Sequence, residues 1–275
     1  MPDLSVVVDG RYFAPSPLGA VGAPTGWPNE PAGWTRITDW DMAQTPPVAG
    51  GADVPIAGSN GWNMIYNADP NTIWAEGNYP FTGTPRGWVE AITDPTAPHS
   101  PSTVWAFTYP TGMLQGVAPG TAYIPFAPQT AVYAGFWWKP SPAPFDYGTT
   151  VCKIAFFFNS SGMQPIMMSA AGYIVVLPEY PEYASSGNYI ILQPNVVATV
   201  VTLGVWHRIE WYSDCAAGIV RWWLDGVLQG DYTGPAHNTV PFDMFQFSPT
   251  WGGCCTETKD QTDYYYYDHV VVSRP

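Results

Sequence analysis

Strict alternation of apolar and polar positions dominates one stretch of this chain, Val205 to Thr233 (VWHRIEWYSDCAAGIVRWWLDGVLQGDYT). Trp206 to Tyr212 and Ile219 to Leu224 each alternate, the polar Ser213 to Gly218 lies between them, and an Asp225-Gly226 pair follows. A period of two with a glycine-bearing turn between the runs predicts a β-hairpin. Pairing Tyr212 with Ile219 sets Glu210 opposite Arg221 and Arg208 opposite Trp223, on one sheet face with Trp206 and Tyr212. The other face then carries His207, Ile209, Trp211, Val220, Trp222 and Leu224, which suits a core.

The same rhythm runs along the chain. Trp34 to Met42, Gly87 to Ile92, Val104 to Tyr109, Ala131 to Lys139, Cys152 to Asn159, Tyr173 to Leu177, Tyr189 to Gln193, Val196 to Thr202, Phe242 to Phe247 and Tyr264 to Ser273 read as strands. Shorter ones are expected at Asn63 to Tyr66 and Thr72 to Glu76, around Asp69-Pro70. Pro110 to Gln129, punctuated by Gly112, Gly116, Pro119 and Gly120, reads as loop. Residues 1–30 read as an extended arm, with short strands flanking Asp9-Gly10 and prolines at 15, 17, 24 and 28 that forbid regular structure. No fixed-period repeat and no second linker appears. The predicted organisation is an extended Pro/Gly-rich arm over 1–30 and one all-β domain, a two-sheet antiparallel sandwich, over 31–275.

Composition supports that class and narrows the partners. Aromatic residues make up 16% of the 275 residues and charged ones 11%, with 30 Pro and 27 Gly, as in a turn-rich β protein. A formal charge of -13 without any Lys/Arg run argues against nucleic acid and anionic membrane surfaces. A neutral glycan, a cation or a protein neighbour fits better. No apolar run approaches the roughly 20 residues of a transmembrane helix.

The hairpin also carries a family resemblance. Gly204-Val205-Trp206-His207 opens its first strand, and its second ends in Asp225-Gly226 with the aliphatic pair Val227-Leu228 behind it. This resembles the concanavalin A-like lectin/glucanase superfamily, in particular its laminin G-like and polysaccharide-lyase-like branches. Elsewhere only strand rhythm is shared. The resemblance implies a two-sheet jelly roll with a concave face that often binds glycans; it does not imply catalysis, because the superfamily mixes enzymes, lectins and scaffolds. The closing strand YYYYDHVVV, Tyr264 to Val272, is similar to the last strand of the superfamily's glucanases. That similarity implies a structural calcium on Asp268, with Asp39 and Asp41 of the first strand as co-ligands. The same residues also read as a solvated acidic edge.

The chemistry-bearing residues separate the function classes. Retaining glycanases of this superfamily set carboxyl groups about 5 Å apart through Glu-x-Asp-x-(x)-Glu on one strand, and no such triplet occurs here. A lyase needs a base, and of the histidines His207 belongs to the apolar hairpin face, His99 and His237 to Pro-flanked loops, and His269 to the closing strand. A glycan site needs aromatic faces for the C–H side of a sugar and Arg, Glu or Gln for its hydroxyls. Arg208, Glu210, Arg221 and Trp223 satisfy that recipe, with Trp138, Lys139, Gln246 and Trp251 as candidate neighbours. The alternative is a plain Glu210–Arg221 ion pair and tryptophans that cover a second layer of core. Cys152, Cys215, Cys254 and Cys255 match no zinc spacing. Cys152 reads as a buried free thiol, and the others lie in turns where bridging stays open.

The expectation is therefore a non-enzymatic structural, decoration or adhesin subunit on the surface of a larger particle, a phage virion, with glycan affinity. Its partners would be other particle subunits, reached through the N-terminal arm, and a cell-surface glycan, with no nucleic acid and no membrane insertion. The alternative is a polysaccharide-active enzyme, a lyase before a hydrolase, or a secreted lectin. Met1 to Val6 lack the features of a signal peptide, so the expected location is the virion surface, with secretion as the alternative.

Overall fold

The computed structural model describes residues 7–8, 11–12, 26–67, 85–148, 151–160, 162–178, 191–234, 240–252 and 257–275, and its regular elements are all strands. In chain order they are β1 (Val7–Val8), β2 (Arg11–Tyr12), β3 (Thr35–Trp40), β4 (Ala49–Pro55), β5 (Asn63–Asn67) and β6 (Trp88–Thr93). Next come β7 (Thr103–Tyr109), β8 (Gly120–Gln129), β9 (Ala131–Pro140), β10 (Val151–Asn159), β11 (Gly162–Ser169) and β12 (Ile174–Val176). The last are β13 (His207–Asp214), β14 (Ile219–Leu224), β15 (Val227–Thr233), β16 (Phe242–Phe247) and β17 (Asp263–Arg274).

Apart from the β1–β2 pair, they form a jelly-roll sandwich of two antiparallel sheets. One runs β12-β11-β10-β16-β8-β5-β4; the other runs β15-β14-β13-β9-β17-β7-β6, with β3 also on β17. Alternation does the work: Trp211, Trp222, Phe136, Trp138, Tyr265 and Tyr267 point inward from the second sheet and share one core with Phe157, Phe245 and Phe247 of the first and with Trp62, just before β5. Phe157 lies 4.1 Å from Trp211 and Phe136 5.3 Å from Phe247, centroid to centroid. Each such buried side chain stabilises the fold by on the order of 3 kcal/mol.

The central hairpin forms, two residues out of the expected register. Tyr212 pairs with Arg221 and Asp214 with Ile219. Asp214 is the cause: its Oδ1 accepts the Ala216 and Ala217 amides, which tightens the turn to Cys215–Gly218 and draws Ser213 and Asp214 into the strand. A two-residue slip preserves which face each side chain takes. It changes the partners, so Arg221 pairs with Asp231 of β15 at 2.8 Å and not with Glu210. The next turn, Asp225-Gly226, has φ of 53° and 84°, the type I′ geometry that Gly226 makes accessible.

Other expectations needed correction. Part of the stretch expected as loop, Gly120 to Gln129, is strand β8; β5 pairs only with its residues 120–123, so Pro125 and Pro128 sit where one edge needs no amide donor. Val196 to Thr202 forms no ladder: the Asn195 and Val196 amides meet the Gln229 carbonyl at the edge of β15, and further on Val200 bridges Tyr173 and the Val201 amide meets the Gly172 carbonyl. Strands β4 and β11 were not anticipated. Thr72 to Glu76, His237, Cys254 and Cys255 lie outside the described residues, as do residues 1–25 apart from β1 and β2. Cys152 is a buried free thiol as expected, and Cys215 is buried too.

Residues 26–30, assigned from sequence to the arm, belong to the sandwich. Two turns, Trp27–Glu30 and Pro31–Trp34, carry the chain across the outer face of the eight-stranded sheet. Trp27 packs there on Tyr133 and Val271. Only glycine fits beneath it, because a Cβ on Gly135 would lie 2.4 Å from the indole.

Candidate functional site

The outer face of the eight-stranded sheet is organised by β9, whose outward positions are Tyr133, Gly135, Trp137 and Lys139. Register sets them in rows: Tyr212–Tyr133–Ser273, Glu210–Gly135–Val271, and Arg208–Trp137–Asp268. The Trp27–Trp34 segment covers the first two rows. It buries Glu210 completely and satisfies it, through the Asn29 amide at 2.9 Å and Nδ2 at 3.0 Å, the Tyr133 hydroxyl at 2.7 Å and Arg208 Nε at 2.9 Å. That carboxylate pushes the Tyr133 hydroxyl, already raised by burial, far above its ordinary range.

The third row opens at a fork in the sheet. Tyr267 of β17 still pairs with Trp105 of β7, whereas Val270 pairs with Trp40 of β3. Between them Asp268 and His269 form a bulge against β9, and His269 takes a φ of 37°. A left-handed histidine is strained and persists only where its surroundings impose it, a pattern common at functional sites. The loop after β6 closes over the fork, with the His99 amide donating to Asp268 Oδ2 at 2.9 Å. The other Asp268 oxygen is buried without a hydrogen-bond partner. Burial, opposed in part by the His99 amide, pushes the Asp268 carboxyl up to about 7.

A cavity of about 480 Å³ lies over this fork. Trp27 and Trp137 line it, with Arg36, Arg208 and Asp39 as polar groups and His99 and His269 alongside. The His269 ring lies tilted 4.1 Å from His99 and 5.4 Å from Trp27, centroid to centroid, and its Nε2 meets Asp39 Oδ1 at 2.6 Å. Asp39 also pairs with Arg36, which holds Glu30 at 2.8 Å. Burial would raise the Asp39 carboxyl, but His269 and Arg36 outweigh it and hold it below the ordinary value. Burial and the neighbouring His269 lower His99. Arg208 lies 6.0 Å from the Trp137 ring centroid. The cleft thus offers the part-exposed Trp137 ring, a wall formed by the largely buried Trp27, and fixed hydrogen-bonding groups, with each cation already matched to a carboxylate.

The residues proposed from sequence scatter. Arg208 lines the cleft, while Glu210 lies under Asn29 and holds Arg208 from below. Arg221 and Trp223 sit further out on the same face and do not line the cavity. Trp138 and Trp251 are core residues, 0% and 2% exposed, and offer no face to a ligand. Gln246 lies on β16, in the other sheet. Lys139 is outward, paired with Asp94. Of the calcium set, Asp268 is buried beneath the cleft, Asp39 is engaged by His269 and Arg36, and Asp41 accepts the Ala43 amide at 3.1 Å. Among the described residues no three His, Cys, Asp or Glu side chains are placed to hold a metal ion. Trp27, Trp137, His99 and His269 were not read as one site, although the charged Asp-His pair interrupting an apolar strand was a visible signal for the bulge.

No protein-family model matches the chain, and no curated protein resembles it in sequence. Among solved structures it is similar to the cellulose induced protein Cip1 (TM-score 0.49, 13% identity, 78% of this chain and 92% of that one). It is also similar to the alginate lyase Aly36B (TM-score 0.46, 12% identity, 83% and 98%). A third is the binding domain of botulinum neurotoxin DC, in complex with rat synaptotagmin II (TM-score 0.48, 8% identity, 86% and 48%).

Proposed function

We propose that this protein is a carbohydrate-binding sandwich that holds an uncharged glycan in the cleft at the β17 fork. The observation that carries the reading is the 480 Å³ cavity in which Trp27 and Trp137 are combined with Arg36, Asp39 and Arg208. Sugars bind through C–H faces on aromatic rings and hydroxyls on directed polar groups, and concave sites with few fixed polar groups are where such ligands sit. An uncharged ligand is favoured because Arg36 and Arg208 are committed to Glu30, Asp39 and Glu210, and because the chain carries a formal charge of -13. The sequence resemblance to concanavalin A-like proteins is in keeping with this reading.

Affinity electrophoresis through gels of β-glucan, xylan, mannan and starch tests it. Wild-type protein should be retarded by at least one of them, and Trp137→Ala should run free with an unchanged circular dichroism spectrum. Equal retardation of both proteins removes the cleft from the account.

A polysaccharide-active enzyme is the second reading, favoured by His269, which Asp39 orients inside the cleft as a carboxylate orients a general base. For residues 1–25 we propose docking on a neighbouring subunit of a larger particle. It is supported by β1 and β2, which among the described residues pair with each other and with no strand of either sheet.

A further inference from the structure

We infer that the cleft is one end of a longer strip, and that an aromatic platform beside it, built from Trp88, Trp206, Tyr264 and Tyr266 around Lys139, binds further rings of the same linear, uncharged polysaccharide. The inference rests on the cleft being a glycan site, and it gives that site a ligand length and a direction. Strand register places the two regions together. Tyr266 pairs with Lys139 one row from the Asp268–Trp137 pair, and Tyr264 lies a row further along β17. On the other side Ala106 and Thr108 of β7 oppose Tyr266 and Tyr264, and Glu90 and Trp88 of β6 lie beyond them. Rows on one face of a strand are about 7 Å apart, so the span from the Tyr264 row to the Trp27–Gly135 row is about 20 Å, room for several pyranose rings.

The platform's rings are held in place before any ligand arrives. Tyr264 and Tyr266 stand nearly parallel, 5.7 Å apart at 15°. The Lys139 ammonium lies 4.8 Å from the Tyr266 ring and 5.0 Å from the Trp206 ring. Trp206 Nε1 donates to Thr96 Oγ1 at 3.2 Å, and Trp88 Nε1 to Glu90 Oε1 at 3.1 Å. All four rings remain partly open to solvent. Rings fixed in this way bind with little further loss of side-chain entropy. Charge selects the occupant. Lys139 is matched by Asp94, and Glu90 adds a negative group to a chain that is already acidic. A sulfated, phosphorylated or uronic polymer would meet no unmatched cation here, whereas neutral sugar rings meet aromatic surface bordered by hydroxyl and carboxylate acceptors.

Titration calorimetry with cello-, xylo- and manno-oligosaccharides, from disaccharide to hexasaccharide, tests the strip. For the responding series, wild-type affinity should rise about tenfold or more with length, a step of the size one added aromatic contact supplies. The double variant Tyr264→Ala/Tyr266→Ala should bind the hexasaccharide no better than the disaccharide and keep wild-type affinity for the disaccharide. Trp88→Phe/Trp206→Phe, which keeps ring bulk and loses the anchoring N–H bonds, should lose part of the length dependence and serves if the tyrosine variant fails to fold. Affinity independent of length, or an unaltered hexasaccharide affinity in the variants, overturns the strip; if Trp137→Ala still abolishes disaccharide binding, the cleft survives. If oligouronates titrated alongside bind and the neutral series do not, the uncharged class is overturned, and no binding of any glycan overturns cleft and strip together.

Discussion

Asp268 gives the site its sharpest test. The carboxyl is 0% exposed, accepts one backbone amide at Oδ2 and leaves Oδ1 unpartnered. Its folded value is raised from 3.8 to about 7. A group whose folded value lies above its unfolded one holds its proton in the native state, so its contribution to stability is complete below pH 3.8 and is lost as pH climbs to about 7. A rise of about three units corresponds to on the order of 4 kcal/mol between those limits. Asp268→Asn keeps the shape, lets the side-chain oxygen accept the His99 amide and cannot ionise. Below pH 4 the variant and wild type should melt together; at pH 8 the variant should melt higher by on the order of 10 °C, at about 2–4 °C per kcal/mol for a chain of this size. Melting curves from pH 4 to 9 measure the difference, and parallel profiles would refute the argument that an ionised Asp268 is penalised under the cleft.

Four further outcomes follow from the same structure. Gly135→Ala places a methyl 2.4 Å from Trp27, so it should cost about 1–3 kcal/mol in denaturant melts and weaken glycan binding by displacing that ring. Glu210→Ala leaves buried Arg208 without its carboxylate and should cost about 3–5 kcal/mol, read from the shift in urea midpoint. His207 has Asp225 Oδ2 at 2.7 Å and the Thr202 carbonyl at 2.9 Å on its two nitrogens; burial opposes the charge, but these acceptors raise the folded value. Its contribution should be full below pH 6.5 and vanish as pH rises through that raised value, a dependence that melts of His207→Gln should lack. Trp223→Ala should leave glycan affinity unchanged in electrophoresis, since Trp223 lies outside the cleft.

Much of the fold was legible because alternation is a local property. The inward set His207, Ile209, Trp211, Val220, Trp222 and Leu224 follows from period alone, and a two-residue slip in register leaves it intact. The site was less legible because it depends on contacts between residues far apart in the chain. Arg208 and Glu210 share a face with Trp223 as expected, yet Asn29, 181 positions before Glu210, decides that Glu210 is buried. Trp138 was a candidate neighbour of the glycan site and Trp137 was not singled out, because the parity of β9 is fixed by its pairing with β13 and β17 and not by its own nearly uniform apolar sequence. Likewise the Asp268-His269 bulge arises where β17 changes partner from β7 to β3, a property of topology that no window of sequence contains. Cys215 sits in a turn, but the turn folds inward through the hydrogen bond that the Cys215 amide donates to the Thr130 carbonyl.

The most direct test of the central claim is a crystal structure of the protein soaked with the neutral oligosaccharide that binds best in calorimetry. The account predicts sugar rings against Trp27 and Trp137, with hydroxyls on Arg36, Asp39 or Arg208, and the chain continuing over Tyr266 toward Tyr264. A ligand on the outer face of the other sheet, around Gln246, with the β17 fork empty, would contradict it.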